Sequence, residues 1–195
     1  VADWYDPMVG GHGAADREHI GKIYRIAPKG FKPARAKLNT AGDMLASPAH
    51  NVRFHGFQQF KKQGSSALPQ VKQLLNHSNP WIAARAIWLL PYLGEEGIAE
   101  LRKVPQSHAG KDYRYRAAAL RSALRFDKHG LGWSMIEQLQ NDPSAHVRRV
   151  ILTHLRDFSY EKKKEVLLSL VLAGPLADRT YVEAVGLAAD GCEDQ

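Results

Sequence analysis

Cysteine is almost missing: Cys192 is the only one in 195 residues. No intrachain disulfide can form, and neither a Cys-x-x-Cys zinc pair nor a Cys-x-x-Cys-His haem-attachment motif exists, which leaves the redox compartment open. Long apolar runs are missing too. None approaches the roughly 18 residues that a bilayer crossing needs, so no membrane insertion is expected of this segment. The opening Val1-Ala2-Asp3-Trp4 has neither a basic leader nor the apolar core of a signal peptide. It also lacks Met and runs at once into a patterned motif, which points to an end made by processing or by excision from a longer chain. Acidic residues are outnumbered: 27 Lys and Arg against 20 Asp and Glu leave a formal charge of +7, with a pI near 9.5. That balance favours acidic partners in general, among them nucleic acid, anionic lipid and acidic proteins. What is present in quantity is apolar: a hydrophobic content of 44% suffices for one well-cored domain, with or without an appendage.

Self-similarity is the strongest pattern. A dipeptide ending in arginine recurs at Val52-Arg53, Ala84-Arg85, Tyr115-Arg116 and Val147-Arg148, in steps of 32, 31 and 32 residues. Five positions before three of these arginines stands a proline, in Ser47-Pro48, Asn79-Pro80 and Asp142-Pro143. Each pair reads as a helix start, because Ser, Asn and Asp accept from the unpaired N–H groups of a first turn and Pro at the first helical position gives up a donor that had no partner. In the third copy Asp112 takes over the cap. Four residues after each arginine comes Phe57, Leu89, Leu120 or Leu152, and three further on Phe60, Tyr92, Ala123 or Leu155, forming one helical face. Upstream of each such helix lies a second amphipathic segment: 41–46, 68–75, 98–104 and 133–139. A last pair is expected over 160–171 and 178–188. One helix pair cannot bury its apolar stripe alone, whereas stacked copies bury it against neighbours. The expected fold is therefore all-α, a solenoid of four to five helix pairs.

Ala49-His50-Asn51-Val52-Arg53 and Ser144-Ala145-His146-Val147-Arg148 resemble the second-helix signature of HEAT-like repeats in their short form, over about residues 39 to 190. The resemblance implies a right-handed stack. It identifies a repeat class and leaves the partner open. The family's usual aspartate near the helix start is a proline-led variant here, which predicts that the arginine ladder is paired differently.

Residues 1–38 have another grammar and form a separate segment ahead of the repeat domain at 39–195. Alternating β-branched and aromatic residues at 23–26 suit a strand, the Gly-rich middle suits a loop, and Pro28 to Pro33 suits a linker. A short β-hairpin or extended segment is expected, with 2–5 and 22–26 as its arms. Asp3-Trp4-Tyr5-Asp6-Pro7, Gly10-Gly11-His12-Gly13 and Gly21-Lys22-Ile23-Tyr24-Arg25-Ile26 resemble the end of the β-propeller in large bacterial proteins of the membrane-bound dehydrogenase family. The run Arg179-Thr180-Tyr181-Val182-Glu183-Ala184-Val185-Gly186-Leu187 fits the same family's repeat region. In that family a propeller precedes HEAT-like repeats and a c-type cytochrome domain. The resemblance implies an exported protein of the periplasm or cell envelope, with any haem carried elsewhere in the parent polypeptide and no cofactor in this segment.

Candidate chemistry is sparse. His12, with Asp3, Asp6, Asp16 and His19 nearby, is the one polar cluster suggestive of a metal or general base, yet a Gly-rich loop with one His reads better as a turn, so no catalytic or metal residue is assigned. His50, His55, His146 and His154 read as surface or edge residues. Trp81, Arg85, Trp88 and Tyr92 fall on one side of a helix. We expect them in the core between repeats, with a cationic–aromatic binding face as the alternative. Lys162-Lys163-Lys164 and Arg148, Arg149 and Arg156 read as solvated helix edges. The residues of a possible binding surface are Arg53, Arg85, Arg116, Arg148, Arg149, Trp81 and Trp88.

Three functions compete. A non-catalytic scaffold, binding a protein partner or neighbouring domains of the same polypeptide, is expected from the architecture. A nucleic-acid-binding HEAT-like protein using a basic concave face is the alternative, although +7 and dispersed basic residues predict no strong duplex binding. An enzyme built on the Gly-Gly-His-Gly loop lacks a matched nucleophile, base and orienting group and ranks last.

Overall fold

The computed structural model describes residues 26–32, 38–110, 112–127 and 130–192. The chain divides between residues 35 and 36 into two units. Of the first, the described residues hold a turn in which Phe31 N donates to Pro28 O at 3.0 Å and Gly30 takes φ +81°. The proposed hairpin arms lie outside the described residues, apart from Ile26, which is exposed. So do His12, Asp3 and Asp6.

Among the described residues of the second unit every regular element is helical: α1 Ala41–Ala46, α2 His50–Gln63, α3 Leu68–Leu75, α4 Pro80–Leu89, α5 Gly94–Ser107, α6 Tyr113–Phe126, α7 Leu131–Leu139, α8 Ala145–Leu155, α9 Tyr160–Leu172 and α10 Arg179–Ala189. Single 3-10 turns, Gly64–Ala67 and Leu90–Tyr92, lead into α3 and α5. The even-numbered helices form one layer in which α2 packs on α4, α4 on α6, α6 on α8 and α8 on α10. The odd-numbered helices lie against them, α1 on α2, α3 on α4, α5 on α6 and α7 on α6.

Local chemistry accounts for the boundaries. Thr40 caps α1, accepting from Asp43 N and donating to Asp43 Oδ2, both at 3.0 Å. Asn79 accepts from Trp81 N at 3.0 Å with Pro80 first in α4, and Asp112 accepts from Arg114 N at 2.9 Å, both as the sequence predicts. Two starts differ. Ser47 Oγ accepts from Ala49 N at 3.2 Å and Asp142 Oδ1 from Ser144 N at 2.8 Å, so these side chains close a turn over their prolines and the helices begin later, at His50 and Ala145. Helices α5 and α7 begin before their predicted starts at 98 and 133. Gly94 and Gly130, at φ +79° and +69°, release the chain from the preceding turn, and the acidic pair Glu95-Glu96 suits a helix N-terminus without contributing to an apolar pattern.

One continuous core runs through the unit. Phe60, Ile87, Leu89, Leu101, Leu120, Met135, Ile136, Leu152, Leu155 and Tyr181 are all at most 1% exposed. Leu89, Leu120 and Leu152, each four residues after a repeat arginine, are fully buried; Phe57, at the same offset, is only half-buried. The α1–α2 crossing is close enough to require glycine: a Cβ on Gly56 would stand 2.6 Å from Leu45 N. At the other end Tyr181 buries its ring and donates its hydroxyl to Leu170 O at 2.9 Å, tying α10 to α9. Lys163 is 3% exposed, so the lysine run on α9 is not uniformly the solvated edge expected. No helix among the described residues is long and apolar enough to cross a membrane.

Alanine at Leu89, Leu120 or Leu152 should each cost about 2–5 kcal/mol through lost burial and a residual cavity. Urea denaturation of the three variants is the measurement. Phe57→Ala, at the half-buried position, should shift the midpoint less than any of them.

Candidate functional site

The repeat arginines meet different fates. Arg116 is 4% exposed and forks onto Asp142, Nε to Oδ2 at 2.6 Å and Nη2 to Oδ1 at 2.9 Å, while Nη1 donates to His108 O at 2.9 Å. This pairing, with hydrogen bonding to Asp142 as its main cause, raises the Arg116 pKa further above its ordinary value. Asp142 also closes its own turn, and its carbonyl accepts from Arg148 Nη1 at 2.6 Å, so one carboxylate residue joins α6 to the start of α8. Arg148 reaches on to Ala173 O at 3.3 Å. Arg116 is thus a buried residue whose guanidinium is held by the fold, through Asp142 and the His108 carbonyl. Arg149 bonds Thr180 Oγ1 and lies 3.0 Å from His146 Nδ1. Burial, then the charges of Arg149 and Arg121, hold the His146 pKa below its ordinary value.

Arg53 and Arg85 have no carboxylate partner among the described residues. Arg53 Nη1 donates to Ser47 O at 3.2 Å and Pro48 O at 2.7 Å, and Arg85 Nη1 to Leu45 O at 2.8 Å, so both are held by carbonyls at the end of α1. Burial and then the neighbouring charge of Arg53 lower the Arg85 pKa. The reason for the missing carboxylates is legible one step along the ladder. Arg116 pairs forward, 26 residues on, with Asp142 in the turn before α8; the residue 26 positions after Arg53 is Asn79, which carries no charge. Ahead of Arg85 stands Asp112, which is taken by Arg114 through bonds to Nε at 2.7 Å and Nη2 at 2.5 Å.

These two guanidiniums open into a groove of about 560 Å³. Its wall draws on three successive even helices: His50, Arg53, Phe54, Phe57, Gln58 and Lys61 from α2, Arg85 and Trp88 from α4 with Tyr92 from the following turn, and Arg125 from α6. Four cations and four aromatic rings line it, and among the described residues no carboxylate does. The rings interlock. Phe57 meets Tyr92 edge-to-face with centroids 5.7 Å apart, and Tyr92 meets Phe126 the same way at 5.5 Å. Lys61 Nζ stands 4.5 Å above the centre of the Tyr92 ring.

The structure therefore brings Arg53, Arg85 and Trp88 together and separates them from the other expected surface residues. The stripe of Trp81, Arg85, Trp88 and Tyr92, expected in the core, is not core: Trp81 is 62% exposed, with the Arg114 guanidinium 5.8 Å from its ring, and the other three are half-buried along the groove. The physical reason is that α4 buries the adjacent stripe, Ile82, Ala83, Ala86, Ile87 and Leu89, against α3 and α6. His50, Phe54, Phe57, Gln58, Lys61 and Arg125 were missed. One signal pointed to them: from Met44 to Gly94 the chain has no Asp or Glu, while it carries Arg53, Lys61, Lys62, Lys72 and Arg85.

Among the described residues no group of three or more His, Cys, Asp or Glu side chains is placed to hold a metal. No family model, curated protein or solved structure matches the chain.

Asp142→Asn leaves the Arg116 guanidinium buried beside a neutral amide, and the expected cost is about 3–5 kcal/mol. Combining Arg116→Met with Asp142→Leu removes both buried charges and should recover more than half of that loss in urea denaturation. A single variant as stable as the parent would remove the pair from its role.

Proposed function

We propose that residues 39–195 are a right-handed α-solenoid of four to five HEAT-like helix pairs acting as a non-catalytic interaction module, which holds a protein partner or a neighbouring domain of the same polypeptide. The observation that carries this reading is the groove, lined from three successive even helices by cations and rings and, among the described residues, by no carboxylate. A stack of helix pairs repeats one face of each second helix along its length, so residues at matching positions merge into an extended strip suited to binding another chain. The layer of even helices and the recurring arginine spacing support the stack. In this reading the segment belongs to the repeat region of the exported bacterial dehydrogenase-type proteins that residues 1–28 resemble, and any haem is carried elsewhere in the parent.

A photo-crosslinking residue at Gln58, in the groove wall, tests the reading against the same residue at Gln70, exposed on α3. The expected result is a polypeptide crosslink from position 58 alone, lost when Lys61→Glu is added. Equal yields from both positions, or no polypeptide crosslink from position 58, would overturn it.

The same rings and cations favour a second reading, nucleic-acid binding. A basic surface associates with DNA weakly and in a salt-sensitive way by counterion release. The expected outcome of a duplex titration at roughly 200 mM salt is affinity weaker than micromolar. Submicromolar binding there would put the second reading first.

A further inference from the structure

We infer that the groove between α2, α4 and α6 is built to receive an extended acidic peptide carrying two carboxylates four residues apart with an apolar side chain midway between them. This rests on the groove being an interaction surface and adds the chemistry of what it takes.

The first argument is the internal template. At Arg116 the fold itself answers a repeat arginine with a carboxylate, bidentate and buried. Arg53 and Arg85 occupy the same place in the sequence repeat and are anchored by backbone carbonyls through one nitrogen each, which orients the fork and leaves it short of an anion. A planar carboxylate is the partner that such a fork accepts with two parallel bonds. Two guanidiniums close enough for the charge of one to lower the pKa of the other also gain from any anion placed between them.

The second argument is spacing. Arg53, Phe57 and Lys61 follow one another at four-residue steps along α2, so the two cations lie about 12 Å apart along the helix with the ring midway. An extended peptide advances about 3.3 Å per residue, so positions i and i+4 are about 13 Å apart. Alternation places i, i+2 and i+4 on the same side of an extended chain. An acid-x-apolar-x-acid segment therefore presents one carboxylate to Arg53 and Arg85, its apolar side chain to Phe57, Trp88 and Tyr92, and the second carboxylate to Lys61 and Arg125. Charge complementarity selects the occupant: among the described residues no carboxylate lines the groove, and from Met44 to Gly94 the chain supplies none.

The test uses the full 195-residue chain and a fluorescein-labelled peptide, Gly-Ser-Glu-Thr-Leu-Thr-Glu-Ser-Gly, read by fluorescence anisotropy at physiological salt. Binding should saturate and weaken about tenfold when both Glu are Gln in the peptide, and about tenfold for Lys61→Gln, an exposed residue whose loss does not endanger the fold. Arg85→Gln should weaken it at least as much, with unfolding midpoints recorded beside the affinities. Three results would overturn the inference: no saturable binding, equal binding of the Gln peptide, or tighter binding of an oligothymidylate of matched charge. A polypeptide crosslink at position 58 without peptide binding would leave the interaction surface standing and remove the acidic motif from it.

Discussion

Each described helix of the second unit buries apolar side chains against a neighbour, and this shared need organises everything else. Phe60, Leu89, Leu120 and Leu152 project from successive even helices and reach full burial only because the next even helix and an odd helix close over them. Fully burying one such side chain contributes about 1.5–3 kcal/mol. The gain is made where successive helices meet. The close α1–α2 crossing at Gly56 and the Tyr181 bond to Leu170 O serve the same requirement at the two ends.

Packing of this kind constrains apolar faces and leaves the arginines a choice. Where a carboxylate stands in the turn ahead of the helix after next, as at Asp142, the guanidinium turns inward and becomes a strut between α6 and the start of α8. Where the cap is Asn79, or where Asp112 is already occupied by Arg114, the guanidinium stays with the carbonyls at the end of α1 and its charge faces outward. The groove is the consequence. The same position in the sequence repeat is thus either buried against a carboxylate, as at Arg116, or left lining a groove, as at Arg53 and Arg85.

Much of the helical framework was legible beforehand because it depends on local chemistry. Segments 41–46 and 68–75 coincide with α1 and α3, and the caps at Asn79 and Asp112 act on their own first turns. The starts of α2 and α8 were misplaced because Ser47 and Asp142 close a turn instead of opening a helix. Those of α5 and α7 were placed late because an apolar pattern does not register a polar first turn. The groove was half legible. Sequence reasoning proposes Arg53, Arg85 and Trp88 as surface residues, but it proposes Arg116 with them although that residue is buried, and it also expects Trp88 and its neighbours inside.

Periodicity, caps and turn residues act within a few positions of themselves, so the order of helices and the arginine spacing followed from the chain of letters alone. Which side of α4 meets α6, whether an arginine finds a carboxylate on another helix pair, and which rings converge depend on residues dozens of positions apart. Arg116 and Asp142 are separated by 26 residues, Arg85 and Leu45 by 40. Helical period assigns a residue to a stripe, and only the packed neighbour decides whether that stripe becomes core or wall. For this protein, that difference separates a column of buried leucines from the open groove beside it.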